Sequence, residues 1–151
     1  LTQQGCNNSA KTTHDEDRFT FEIASTTEKL REVAQKLENF MSPWVYNVKT
    51  KSEIILAVSE AVANAIIHGN QRLPGKSVRI TFRRRPSEMV VTVKDQGQGF
   101  DPKQLPDPLT SNNRMKTSGR GVYLMKVLMD EVSFRKTENG MEVTLVKKIF
   151  E

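Results

Sequence analysis

Cysteine is almost missing from this chain: Cys6 is the only one in 151 residues. A single thiol closes no internal disulfide and builds no cysteine-based zinc site. Aromatic residues are sparse as well, at 7%. No apolar run is expected to approach the ~18 residues of a membrane span, and the N-terminus lacks the apolar core of a signal peptide. A cytoplasmic protein is therefore the expectation. What is present is an ordinary globular mixture, 36% hydrophobic and 27% charged, of a length that suits one domain. The formal charge of +5 points to anionic partners, whether phosphate, nucleic acid or an acidic protein face, without choosing among them.

Residues 1–17 hold one large apolar side chain, Leu1, which is too little burial to offset the entropy of ordering, so a disordered tail is expected there. The tail sets Lys11 against Asp15, Glu16 and Asp17, a balance of −2 that leaves +7 on the rest. From Arg18 to Ile23 the pattern alternates, with Phe19, Phe21 and Ile23 on one face of a predicted strand. Ser25 and Glu28 have capping-box spacing ahead of a helix whose apolar stripe is Leu30, Val33, Ala34, Leu37 and Met41. Thr50 and Glu53 repeat that spacing before a second helix, expected from about Ser52 to His68, with Gly69 as a left-handed cap. That helix is apolar almost all round, so it is expected to be central. A hairpin follows, turning at Arg85–Glu88, and then an aperiodic stretch from Asp101 to Ser118. A third helix, from about Arg120 to Met129, precedes a hairpin turning at Asn139-Gly140. This order implies an α+β fold, a two-layer sandwich with helices on one face of a mixed, mostly antiparallel sheet.

Two tempting motifs fail. Gly69 and Gly75 stand five residues apart before Lys76-Ser77, where a P-loop needs four, and the helix-then-strand context is inverted. Gly119-Arg-Gly121 lacks the third glycine of a dinucleotide fingerprint, since Leu124 occupies its place. Three other segments are better candidates, each with a plain alternative. Glu60 and Asn64 lie one helical turn apart and share a face, which suits a base beside an oxygen ligand for Mg²⁺, or equally an ordinary polar pair. Asp95-Gln-Gly97-Gln-Gly99 follows a strand, where glycines permit close approach to a ligand and an aspartate can accept from a base amino group; a simple turn has the same composition. Ser118-Gly119-Arg120-Gly121 sits at a predicted helix start, where free N–H groups suit phosphate, or is only a loop exit.

Taken in order, SEAVANAIIHG (59–69), VKDQGQGFD (93–101) and SGRGVYLMKVLMDEV (118–132) resemble the N, G1 and G2 boxes of the GHKL (histidine-kinase-like) ATPases. Within that superfamily they are similar to the anti-sigma-factor serine/threonine kinases of bacterial partner-switching systems, and the resemblance runs from Arg18 to the end of the chain. It implies a Bergerat-type sandwich binding ATP between helices and sheet under a lid, which falls on Asp101–Ser118. It implies Glu60 as general base, Asn64 as the Mg²⁺ ligand, Asp95 on the adenine amino group, and Gly97 and Gly99 beneath the base. Ser118, Gly119, Arg120 and Gly121 fall at the lid hinge and the phosphate-binding helix start, and Arg114, Lys116 or Arg120 is the implied cation, the choice among them open. No phosphoacceptor-histidine hairpin is seen ahead of the boxes, unlike a complete sensor histidine kinase. The implied partners are an anti-anti-sigma factor carrying the acceptor Ser/Thr, a sigma factor, and a second copy of the chain, with the first helix and N-terminal strand as candidate dimer surfaces. Other readings remain: a nucleotide-responsive binding module with little kinase activity, or a nucleic-acid binder. The last rests on Arg83-Arg84-Arg85, which is expected in a hairpin turn without interleaved aromatics.

Overall fold

The computed structural model describes residues 18–97 and 117–149. The expected tail, Gly99, Arg114, Lys116 and nearly all of the expected lid lie outside the described residues. The elements are β1 (Arg18–Ala24), α1 (Leu30–Met41), α2 (Val48–Asn64), β2 (Ser77–Arg84), β3 (Glu88–Lys94), α3 (Thr117–Leu128), β4 (Glu131–Thr137) and β5 (Gly140–Lys148). The strands form one sheet in the order β1-β2-β3-β5-β4. A mixed sheet was the expectation, but all four pairings are antiparallel. The sheet needs no parallel pair because the long crossover through α3 delivers β4 to the edge, and β5 then turns back between β4 and β3.

Register puts the apolar residues on one face. Ile23 opposes Val78, Phe82 opposes Val91, and Val91 opposes Leu145, so the period-2 pattern of each strand feeds a common layer. That layer buries Val33, Leu37 and Met41 of α1, Ile54, Ala57, Val58, Ala61 and Val62 of α2, and Met125 of α3. The core is thickest around Phe82, whose ring meets those of Phe21 and Phe40 at 5.4 and 5.6 Å. The edge strand is less covered: Phe19 is 40% exposed, and the Lys36 ammonium lies over the rings of Phe19 and Phe21.

Several local expectations change. Ser25 does not cap the first helix: Thr26 Oγ1 accepts from Glu28 N–H, while the Ser25 hydroxyl donates to Lys76 O at 2.7 Å. The second helix begins at Val48, not near Ser52, because Asn47 Oδ1 accepts from Thr50 N–H at 3.0 Å. Its α-helical part ends at Asn64 and widens into a π turn over Ala65–Gly69. Gly69 is not left-handed; the positive φ angles fall on Gln71 (54°) and Arg72 (56°). Together Val48–Gly69 make 22 residues long and apolar enough, by length and composition, to cross a membrane, contrary to the expectation that no segment approaches one. Burial in the core accounts for that composition, since seven of its side chains belong to the core. The last hairpin turns over Glu138-Asn139, with Thr137 facing Gly140, so Gly140 closes the turn and opens β5 without being one of its two central residues. The basic run is split in space. Arg84 lies over the Trp44 ring at 4.9 Å, so an aromatic does accompany it, and Arg85 approaches Glu88.

Candidate functional site

The π turn that ends α2, the exit of β3 and the start of β5 meet at Asp95. Its side chain is only 5% exposed, and its Oδ1 accepts from both Gly97 N–H and Met141 N–H at 3.0 Å. Its backbone N–H continues the sheet by donating to Met141 O. Oδ2 has no hydrogen-bond donor among the described residues. Burial pushes the carboxyl above its ordinary pKa, while the two N–H donors and the charge of Lys76 pull it back.

Three glycines make this packing sterically possible. A Cβ at Gly69 would strike the Asp95 carboxylate, one at Gly97 would strike Gly69 O, and one at Gly140 would strike Asp95 O. Each glycine is needed because another chain segment lies against its Cα, and none because of a left-handed φ. Glu60 and Asn64 lie half-buried on neighbouring turns of α2, as their spacing predicts. Across from them is Gly121: a Cβ there would stand 2.9 Å from Asn64 Nδ2 and 3.2 Å from Glu60 Oε2. A narrow cleft with about 20 Å³ of water-accessible space joins the two groups, with Asn64 and Asp95 as its polar walls and Ala61, Ala65, Val93, Met125 and Met141 among its apolar ones.

The structure thus brings Glu60, Asn64, Asp95, Gly97 and Gly121 together. The third helix starts at Thr117, three residues before the expected Arg120, so Ser118 and Gly119 belong to its first turn and Gly121 lies inside the helix. The N–H groups of 117–120 find no intrahelical acceptor among the described residues. Arg120 is exposed, and His68 is an exposed member of the π turn. Sequence reasoning missed Asn70, whose amide reaches Gln96 N–H, Ser25 and Ser77, and it missed the packing role of Gly140. Asn70 follows a helix-ending glycine, where an asparagine reads as a turn residue.

Comparison with known proteins bears on this arrangement. Residues 23–147 match the family described as histidine kinase-like ATPase domain. The chain is similar to the anti-sigma F factor of Clostridium novyi (strain NT), 37% identical over 101 residues, which are 65% of this chain and 71% of that one. It is also similar to the anti-sigma F factor of Lysinibacillus sphaericus, 34% identical over 140 residues, 90% of this chain and 94% of the relative. Among solved structures, the RsbU and RsbW domains of a Mycobacterium tuberculosis protein superpose with a TM-score of 0.65 at 17% identity. That match covers 87% of this chain but 32% of the longer protein, and it speaks to fold alone.

Proposed function

Because this chain belongs to the family of histidine kinase-like ATPase domains, we propose that it is an ATP-dependent protein serine/threonine kinase acting as an anti-sigma factor. In this reading it phosphorylates an anti-anti-sigma antagonist and sequesters a sigma factor in the cytoplasm. The relatives that carry the name anti-sigma F factor support the reading. The observation that carries it is convergence: Glu60 and Asn64 on one face, the Gly121 backbone against both, and Asp95 across the same cleft.

Each residue has a part. Asp95 Oδ2 accepts from the exocyclic amino group of adenine, and Gly97 keeps the loop close beneath the base. The N–H groups in the first turn of α3 suit phosphate oxygens. Among the described residues no three His, Cys, Asp or Glu side chains gather into a metal cage. An amide oxygen beside a carboxylate fits Mg²⁺, which takes hard oxygen donors and fills its shell with phosphate and water. Asn64 would hold it, and when bound it neutralises charge on the phosphates. Glu60 takes the proton from the acceptor Ser/Thr hydroxyl as that oxygen bonds to the γ-phosphorus. The bond from that phosphorus to the β–γ bridging oxygen breaks, and ADP leaves with the electron pair. Arg120 is the described candidate for a cation near the transferring phosphate. A homodimer through β1 and α1 belongs to the same reading.

The test is to incubate the protein with Mg-ATP and a candidate antagonist domain, then to look for phosphoserine or phosphothreonine by mass spectrometry. Glu60→Gln is expected to slow transfer by about 10²–10⁴-fold while leaving ATP affinity unchanged. Unchanged transfer removes Glu60 from the mechanism. ATP binding without transfer to any antagonist would favour a nucleotide-responsive binding module.

A further inference from the structure

Asn70 is the most deeply buried polar side chain among the described residues, with none of its surface exposed. Its amide is used on both sides. Oδ1 accepts from Gln96 N–H at 2.6 Å, and Nδ2 donates to Ser25 Oγ at 2.8 Å and to Ser77 O at 2.9 Å. Around it, Ser25 donates to Lys76 O, and Gln96 Oε1 accepts from Ser77 N–H at 2.7 Å. The net therefore joins the end of β1, the segment after the π turn, the start of β2 and the exit of β3.

Of these four, the exit of β3 is the segment that carries Asp95. The pairing of β2 with β3 ends at Arg79 and Lys94, so beyond Lys94 the backbone no longer pairs with β2. On the β5 side Asp95 N–H still reaches Met141 O. The next N–H, that of Gln96, has Asn70 Oδ1 as its acceptor. This N–H belongs to the peptide group directly attached to the Cα of Asp95, so holding it fixes the rotation of that peptide and places the next N–H, that of Gly97, which donates to Asp95 Oδ1 and so orients the carboxylate. Gly97, one residue on, is already seated on Gly69 O, which sets the same segment from below. Asn70 follows Gly69 directly, so one short stretch of chain supplies both supports.

We propose that Asn70 is a positioning residue for base recognition: through Gln96 N–H it aims Oδ2 of the Asp95 carboxylate, and it thereby sets how sharply the site tells adenine from a purine without the 6-amino group. This rests on the reading of Asp95 given above. A purely structural staple would strengthen binding of every nucleotide alike, whereas an aiming role acts only on ligands that offer the amino group.

The experiment compares dissociation constants for ATP and purine riboside triphosphate, which lacks only the 6-amino group, alongside circular dichroism and thermal melts. The wild type should favour ATP by roughly ten- to a hundredfold, the value of one hydrogen bond to a charged acceptor. In Asn70→Ala that preference should fall by about tenfold, with the purine analogue affected far less. Loss of both affinities by one common factor, with the preference intact, overturns the proposal and leaves Asn70 a staple. A wild type that shows no preference overturns the assignment of Asp95 itself and the inference with it. If Asn70→Ala does not fold, Gln96→Ala serves, since its exposed side chain holds the same segment through the N–H and hydroxyl of Ser77. It should lower the preference in the same direction by a smaller factor, and an unchanged preference there overturns the proposal.

Discussion

Asp95 shows how a single residue sets two opposed requirements. A buried carboxylate is disfavoured in its charged form, and here desolvation outweighs the two N–H donors and Lys76, so the folded state holds the proton more tightly than the unfolded chain. The contribution of this group to stability is then fully present below the ordinary aspartate pKa and is lost as pH rises through the raised value. Asp95→Asn keeps an acceptor for Gly97 and Met141 without the charge, so its denaturant midpoint at pH 7 should be no lower than wild type, the difference closing in acid. ATP binding should move the other way. Wild-type affinity should weaken as pH falls from neutrality towards the raised pKa, and the Asn variant should lose at least about tenfold at pH 7 with no such pH dependence. Isothermal titration across pH 5–8 reads both effects, and an Asn variant with unaltered affinity would remove Asp95 from the base pocket. Glycines give a second residue-scale contrast. Gly69→Ala forces a methyl group into the Asp95 carboxylate and should cost about 1–3 kcal/mol in urea unfolding. Gly75→Ala meets nothing within 4 Å and should stay within about 0.5 kcal/mol of wild type. Equal costs at the two positions would contradict the packing account.

Among the elements, α2 carries the most function. Its start is fixed by Asn47, whose side chain occupies the Thr50 N–H, and its end is widened into the π turn that brings Gly69 beneath Asp95. The two ends are separable. Asn47→Ala should lower stability by about 1 kcal/mol while ATP affinity stays the same, because Glu60 and Asn64 lie three or more turns further along. A fall in affinity as large as the fall in stability would show the helix responding as one piece. The end of α3 has a different solution. Lys147 points inward from β5, and its ammonium donates to Leu128 O at 2.6 Å, satisfying a terminal carbonyl near the negative end of the helix dipole, with Glu53 at 3.5 Å. This contact ties α3 to the sheet at the end away from Gly121, so the part of α3 that faces Glu60 and Asn64 is anchored from behind.

At the scale of the whole molecule, one apolar layer between three helices and five strands holds the site in place. Phe82 is fully buried where β1, α1 and β2 meet, and Phe82→Ala should cost about 3–5 kcal/mol. Trp44, the single tryptophan, is buried in the same core, so its fluorescence and far-UV circular dichroism should report one coincident transition in urea. Separate transitions would mean that the helical layer and the sheet unfold apart. Surface ion pairs contribute little here, since in Arg79–Glu22 both side chains are more than half exposed and in Arg135–Glu142 the arginine is. The order of elements, the inward faces of strands and helices, and the shared face of Glu60 and Asn64 were all legible in the sequence. Periodicity and one-turn spacing are local properties that a chain carries before it folds. Its three boxes also announced the family. Sequence could not show that Gly69 and Gly140 are there for close approach and not for a left-handed φ. It also could not show that Ser25 leaves its expected cap to serve Asn70, or that Asn70 holds Gln96. Those facts depend on groups 26 and 45 residues apart becoming neighbours, and only the packed sheet and helices decide which distant atoms share a space too small for a side chain.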